Sequence, residues 1–200
     1  MTRARLALVA AAAAALAMAP AWGAGNSGLK LHPDGFGPHT YSSWKAGEGE
    51  TDSTGGSSQA LYLAKMTLTA TGSAAVAVFD GIAGMTASEV GQLAFDWRTD
   101  GHCGAGAPRF NITFENMPTV FVGCQGMTDE GQHQDAQGRT WDRRSIDLST
   151  FGDATIQSLI IVFDEGTDQG QGFVYLDNIQ VGNKVWTSAA DNGPDWGSQP

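Results

Sequence analysis

The stretch Gly91-Gln92-Leu93-Ala94-Phe95-Asp96-Trp97-Arg98-Thr99 alternates without a break. Leu93, Phe95 and Trp97 fall on one side, Ala94, Asp96 and Arg98 on the other. Pro108 to Glu115 repeats the pattern, with Phe110, Ile112 and Phe114 set against Arg109, Asn111, Thr113 and Glu115. A period of two over such lengths predicts antiparallel strands with one face in a core and one facing water. Trp97, in phase with Leu93 and Phe95, belongs to the core side.

Outward from these two segments, strand signals recur between clusters of Gly, Asp, Asn and Ser. Gln59 to Thr69 and Ser73 to Phe79 read as a pair joined by the short turn Ala70-Thr71-Gly72. Thr119 to Cys124 and Thr140 to Asp147 follow. Ile156 to Asp164 and Gly172 to Val181 are more continuously apolar, as strands covered on both sides should be. Gly25 to Ser58 is polar and Gly-rich, with room for one or two short strands. Helical signals are confined to single turns at Ala87 to Gly91, capped from Thr86 or Ser88, and at Ser149 to Gly152. About nine strands with almost no helix predict an all-β fold, a two-sheet antiparallel sandwich of the jelly-roll kind. Glycine, 27 of 200 residues and about twice the average usage of roughly 7 %, agrees with a turn-rich chain. Six Trp, nine Phe and three Tyr supply the bulk for a core.

Residues 1–24 read as a secretory signal peptide. Arg3 and Arg5 precede the apolar run Leu6 to Ala19, and Pro20 ends it. The run is shorter than the ~20 residues a membrane-spanning helix needs. Cleavage after Ala21 or Ala24 fits small-residue rules. The domain is then expected over 25–186, with a flexible tail over 187–200. Localisation is expected to be extracellular or periplasmic.

The formal charge is −10, from 11 basic and 21 acidic residues. Such acidity argues against nucleic-acid and anionic-membrane partners. Cys103 and Cys124 are the only cysteines. An even count in an exported chain predicts a disulfide, worth about 3 kcal/mol for a loop of this length. Metal ligation with His102 or His133 is the alternative, but zinc-type Cys and His spacings are absent. His32, His39, His102 and His133 all sit in polar stretches and read as solvated loop residues.

The phrase Phe173-Val174-Tyr175-Leu176-Asp177-Asn178-Ile179-Gln180-Val181 resembles the last strand of extracellular β-jelly-roll carbohydrate-binding modules of the galactose-binding-like group. Gln59-Ala60-Leu61-Tyr62-Leu63 after a Gly/Ser-rich stretch, Leu93 to Trp97, and Trp141 before a late strand add to the likeness. It spans roughly Thr40 to Val185 and concerns fold more than function. The resemblance implies a carbohydrate or polysaccharide partner. It also implies a structural Ca²⁺ held by a final-strand carboxylate, matched here by Asp177, with backbone carbonyls from an early segment. The local alternative is that Asp177 accepts backbone N–H bonds at the sheet end. The acidic loop Asp164 to Asp168 lacks EF-hand spacing and reads as a solvated turn.

Sugar recognition needs flat rings against C–H faces and planar polar groups for hydroxyls. The outward strand positions offer Asp96, Arg98, Arg109, Asn111 and Glu115, with Trp141, Trp44 and Tyr41 as platforms. The rival class is a polysaccharide-active enzyme, with Glu115 and Asp96 as paired carboxylates on adjacent strands. A Gly-x-Ser-x-Gly elbow, a His-Glu-x-x-His pair and a phosphate loop are all missing, as are the strand phrases of jelly-roll alginate lyases. A structural or adhesive surface module is the third class. Asn111-Ile112-Thr113, an acceptor triplet for glycans, falls mid-strand and carries no weight.

Overall fold

The computed structural model describes residues 28–51, 58–68, 72–164 and 171–193. The expected leader lies outside them, as do 165–168 of the acidic loop, Thr69 with the turn residues Ala70 and Thr71, and 194–200.

Alternating side chains build most of the twelve strands among the described residues, because each buried row needs a facing layer. One sheet has the order β1 (Lys30–Phe36), β4 (Ala74–Asp80), β10 (Ile156–Phe163), β6 (Arg109–Phe114), β7 (Val120–Gly123). The larger sheet runs β2 (Thr40–Ala46), β3 (Gln59–Lys65), β11 (Gly172–Val181), β5 (Gln92–Arg98), β9 (Thr140–Asp147), β8 (Thr128–Gln134). A short β12 (Lys184–Trp186) folds back on β11. The pairings are antiparallel, and the chain passes repeatedly from one sheet to the other, as in a jelly roll. β10 and β11 are interior strands, but they are not covered on both sides: Gln157 and Ser158 are exposed, and Phe173 and Tyr175 are part-exposed.

Leu61, Leu63, Leu93, Phe95, Val174 and Leu176 of the larger sheet meet Phe79, Phe110, Ile112, Phe114, Leu159 and Ile161 of the smaller one. Each such side chain, fully buried, contributes about 1.5–3 kcal/mol. Phe79 meets Trp186 edge-on at 5.5 Å and Phe95 lies 5.5 Å from Phe110, so rings bridge the two layers. Cys103 and Cys124 form the disulfide, with Cα atoms 5.3 Å apart. It fastens the loop leaving β5 in one sheet to the end of β7 in the other.

Three expectations are corrected. β3 and β4 are not a hairpin: they lie in different sheets, β3 between β2 and β11, β4 between β1 and β10. Two apolar runs near in sequence can close a sandwich as readily as pair within one layer. The expected tail is anchored in its first part. Ala189–Asn192 forms a 3-10 turn, and buried Asn192 donates to the Leu31 carbonyl while accepting from Leu31 N and Trp186 Nε1. His133 is not in a loop; it lies on β8, a fully exposed edge strand whose Gly131 takes φ +104° at a bulge.

The two single turns form where expected. Thr86 caps Ala87–Val90 in a capping box with Glu89, and Ser149–Phe151 makes a 3-10 turn.

Candidate functional site: the outer face of the larger sheet

Since Leu61, Leu63, Val174, Leu176, Leu93 and Phe95 point into the core, their neighbours must point outward. Register then lines up Ser43, Tyr62 and Tyr175 across β2, β3 and β11. Arg98, Trp141 and His133 continue the row across β5, β9 and β8. Tyr62 and Tyr175 have centroids 4.9 Å apart, and Phe173 lies 5.7 Å from Tyr175 and 6.2 Å from Tyr62. All three rings are half-buried, and Tyr41 on the same side of β2 is 52 % exposed. The Arg98 guanidinium stacks 3.8 Å from the Tyr175 centroid, and Lys45 Nζ stands 5.7 Å from that of Tyr62. Burial, then the neighbouring phenols, raises the Tyr62 hydroxyl above its ordinary pKa.

A strap crosses this face. Residues 47–51, just after β2, are tied down by groups from four other segments. Arg98 donates to the Glu48 carbonyl at 3.2 Å and pairs with its carboxylate at 2.6 Å. Arg139, fixed by Asp135 at 2.8 Å, donates to the carbonyls of Gly47 and Gly49. Glu50 N donates to Asp177 Oδ2 at 2.7 Å. Glu50 Oε2 lies 2.8 Å from His133 Nε2. Gly49 is required here: a Cβ would run into the Gln59 carbonyl and Asp177 Oδ2.

Beneath the strap is an acidic cluster. Asp177 on β11 and Asp96 on β5 are direct cross-strand partners, and ligand atoms of Glu50, Asp96 and His133 lie within 4.8 Å of one another. Asp96 accepts from Arg143 at 2.9 Å and from the Asn178 amide at 2.7 Å. Asn178 reaches it because a bulge in β11 puts that residue at φ 44°. Asp177 Oδ1 accepts from Asn178 N at 2.7 Å. Burial above all pushes the Asp177 carboxyl up to about 7, against two backbone hydrogen bonds that lower it and with Glu50 and Asp96 adding to the rise. Burial likewise raises Glu50; its bond to His133 opposes this and its contact with Asp96 reinforces it. Glu50 raises His133. All three shifts run toward holding a proton, the two carboxyls chiefly because burial disfavours their charged form.

The structure brings together Asp96, Arg98 and Trp141 from the predicted ligand set, and none of the three is open. They are 3 %, 7 % and 0 % exposed, closed over by the strap and the β8–β9 turn. Trp141 Nε1 donates to Asp135 at 3.2 Å, so this ring is a support and not a platform. Trp44 packs against the core. The remaining three lie elsewhere. Arg109 is clamped by both oxygens of Asp164 at 2.7 Å and holds Asn111 at 2.9 Å, on the outer side of the smaller sheet. Glu115 is exposed just past β6. Glu115 and Asp96 therefore cannot face one another, because β6 and β5 belong to different sheets. Asp177 accepts two backbone N–H bonds, as the local alternative has it, but in the middle of the interior strand β11 and not at a sheet end. Calcium takes six to eight oxygens. Asp177 does lie against an early segment, residues 47–51, but both its oxygens already accept backbone N–H bonds.

Sequence reasoning gave no site role to Tyr62, Phe173, Tyr175 and Glu50, and weighed His133 only as a metal partner of the cysteines. The first three were within reach, since their neighbours' periodicity already turned them outward. No protein-family model matches this chain, and no curated protein matches it. Among the described residues, no helix is long and apolar enough to cross a membrane.

Proposed function

We propose that this chain is an exported β-sandwich that binds carbohydrate without chemistry, on the outer face of the larger sheet. The observation that carries the reading is the row of part-exposed rings, Tyr41, Tyr62, Phe173 and Tyr175, bordered by Lys45 and Arg98. The rings lie at 34–72° to one another, so each presents its own face or edge, at little entropy cost, to the C–H side of a sugar unit. The flanking ammonium, phenol and carboxylate groups supply donors and acceptors for hydroxyls. The disulfide suits an oxidising compartment, in keeping with the leader-like residues 1–24.

Affinity electrophoresis against a panel of soluble polysaccharides tests this. A retained polysaccharide should bind roughly tenfold or more weakly to Tyr62→Ala and Tyr175→Ala, the loss of about 1.4 kcal/mol expected for a contact ring. Glu115→Gln, on the other sheet, should bind as the parent does. No retention across the panel, or equal retention by the ring variants, overturns the proposal.

A further inference from the structure

We propose that Glu50, Asp96 and His133 form a binding site for a divalent transition-metal ion of the zinc or manganese kind. The inference stands apart from carbohydrate binding, because none of the three is among the rings Tyr41, Tyr62, Phe173 and Tyr175. One imidazole nitrogen and two carboxylates form a mixed donor set of the sort zinc accepts, with bonds of about 2.0–2.2 Å. The ligand atoms already lie within 4.8 Å of one another, so small side-chain adjustments bring them around one centre.

Three further observations point the same way. Glu50 Oε1 is shut off from solvent and has no hydrogen-bond donor among the described residues. Glu50 also touches the Asp96 carboxyl, a contact that needs a shared proton or a cation between the two groups, and a metal ion supplies the latter. Asp96 is oriented from behind, by Arg143 on one oxygen and Asn178 on the other, as ligating carboxylates are in metal proteins. His133, whose side chain is 44 % exposed, gives an ion a way in from solvent. The donors come from the strap, from β5 and from β8, so an ion would cross-link segments far apart in the chain. Three protein ligands also leave a tetrahedral ion one open position for water or another small donor.

The test uses the full chain stripped with chelator, titrated calorimetrically with zinc, manganese and calcium chlorides and followed by thermal unfolding. Zinc or manganese should bind one to one and raise the melting temperature by several degrees. His133→Ala should weaken that binding at least tenfold while keeping the near-UV spectrum of the metal-free parent. Glu50→Gln and Asp96→Asn should do likewise. His133→Ala, altering an exposed edge residue, decides the matter if the two carboxylate variants fold poorly. Absence of binding up to millimolar zinc and manganese overturns the inference. So does zinc binding that survives His133→Ala, or a response to calcium alone.

Discussion

Asp177 is a carboxylic acid placed out of reach of water, with two backbone N–H groups for company and two other carboxylates close by. Its carboxyl titrates near 7 in the folded chain, against an ordinary value near 4. The folded state therefore binds the proton more tightly than the unfolded one. This contribution is fully present below about pH 4 and is lost as pH rises through about 7. Asp177→Asn keeps the shape and removes the titration. In the presence of EDTA, urea unfolding should show the variant gaining on the parent by about 2–3 kcal/mol between pH 5 and pH 8. A pH-independent difference would mean that Asp177 stays ionised throughout. The motif Asp177-Asn178-Ile179 was visible in the sequence, but its surroundings were not. Glu50 is 127 positions away from Asp177 and 83 from His133. No local pattern encodes separations of that kind.

At the scale of elements, alternation told most of what there was to tell. β6 has the predicted faces, whereas the side of β5 expected to face water, Ala94, Asp96 and Arg98, is buried, and Trp97 on the core side is only part-buried. β8 escaped notice because Thr128-Asp129-Glu130-Gly131-Gln132-His133-Gln134 has no apolar member; its pairing to β9 is its only reason to be extended. The β3–β4 misreading has the opposite cause, since both strands are so apolar that either partner choice buries them. The 3-10 turn Ala189–Asn192 carries no periodicity at all, and one carboxamide fixes it. Asn192 satisfies both backbone groups of Leu31 and the Trp186 indole, so it staples the chain's last described turn to the first strand. Asn192→Ala leaves those three groups without partners in a dry site. It should cost about 2–4 kcal/mol, read as a lower urea midpoint. Amide exchange at Leu31 should accelerate in step, and an unchanged midpoint would show the turn to be dispensable.

For the molecule as a whole, the aromatic bridge and the disulfide join the two sheets at separate places. The bond between Cys103 and Cys124 spans a sequence separation of 21 and restrains the crossover from β5 to β6. Reduction should lower stability by about 3 kcal/mol while leaving the far-UV spectrum in place, because the core rings do not depend on it. Loss of the β-sheet signal on reduction would show instead that the sulfur link, and not the core, holds the layers together.

A sandwich that never closes into a barrel leaves open rims, and each rim invites a neighbour's backbone to continue the ladder. On the larger sheet one rim is β8, with Asp129 and Glu130 displayed along it and a kink at Gly131 that throws the spacing out of step. A second molecule approaching there meets like charge and mismatched pairing before it can form a bond. Crowded solutions of this protein are thereby guarded on that side against fibre growth, and replacing those acids with valines would remove the guard.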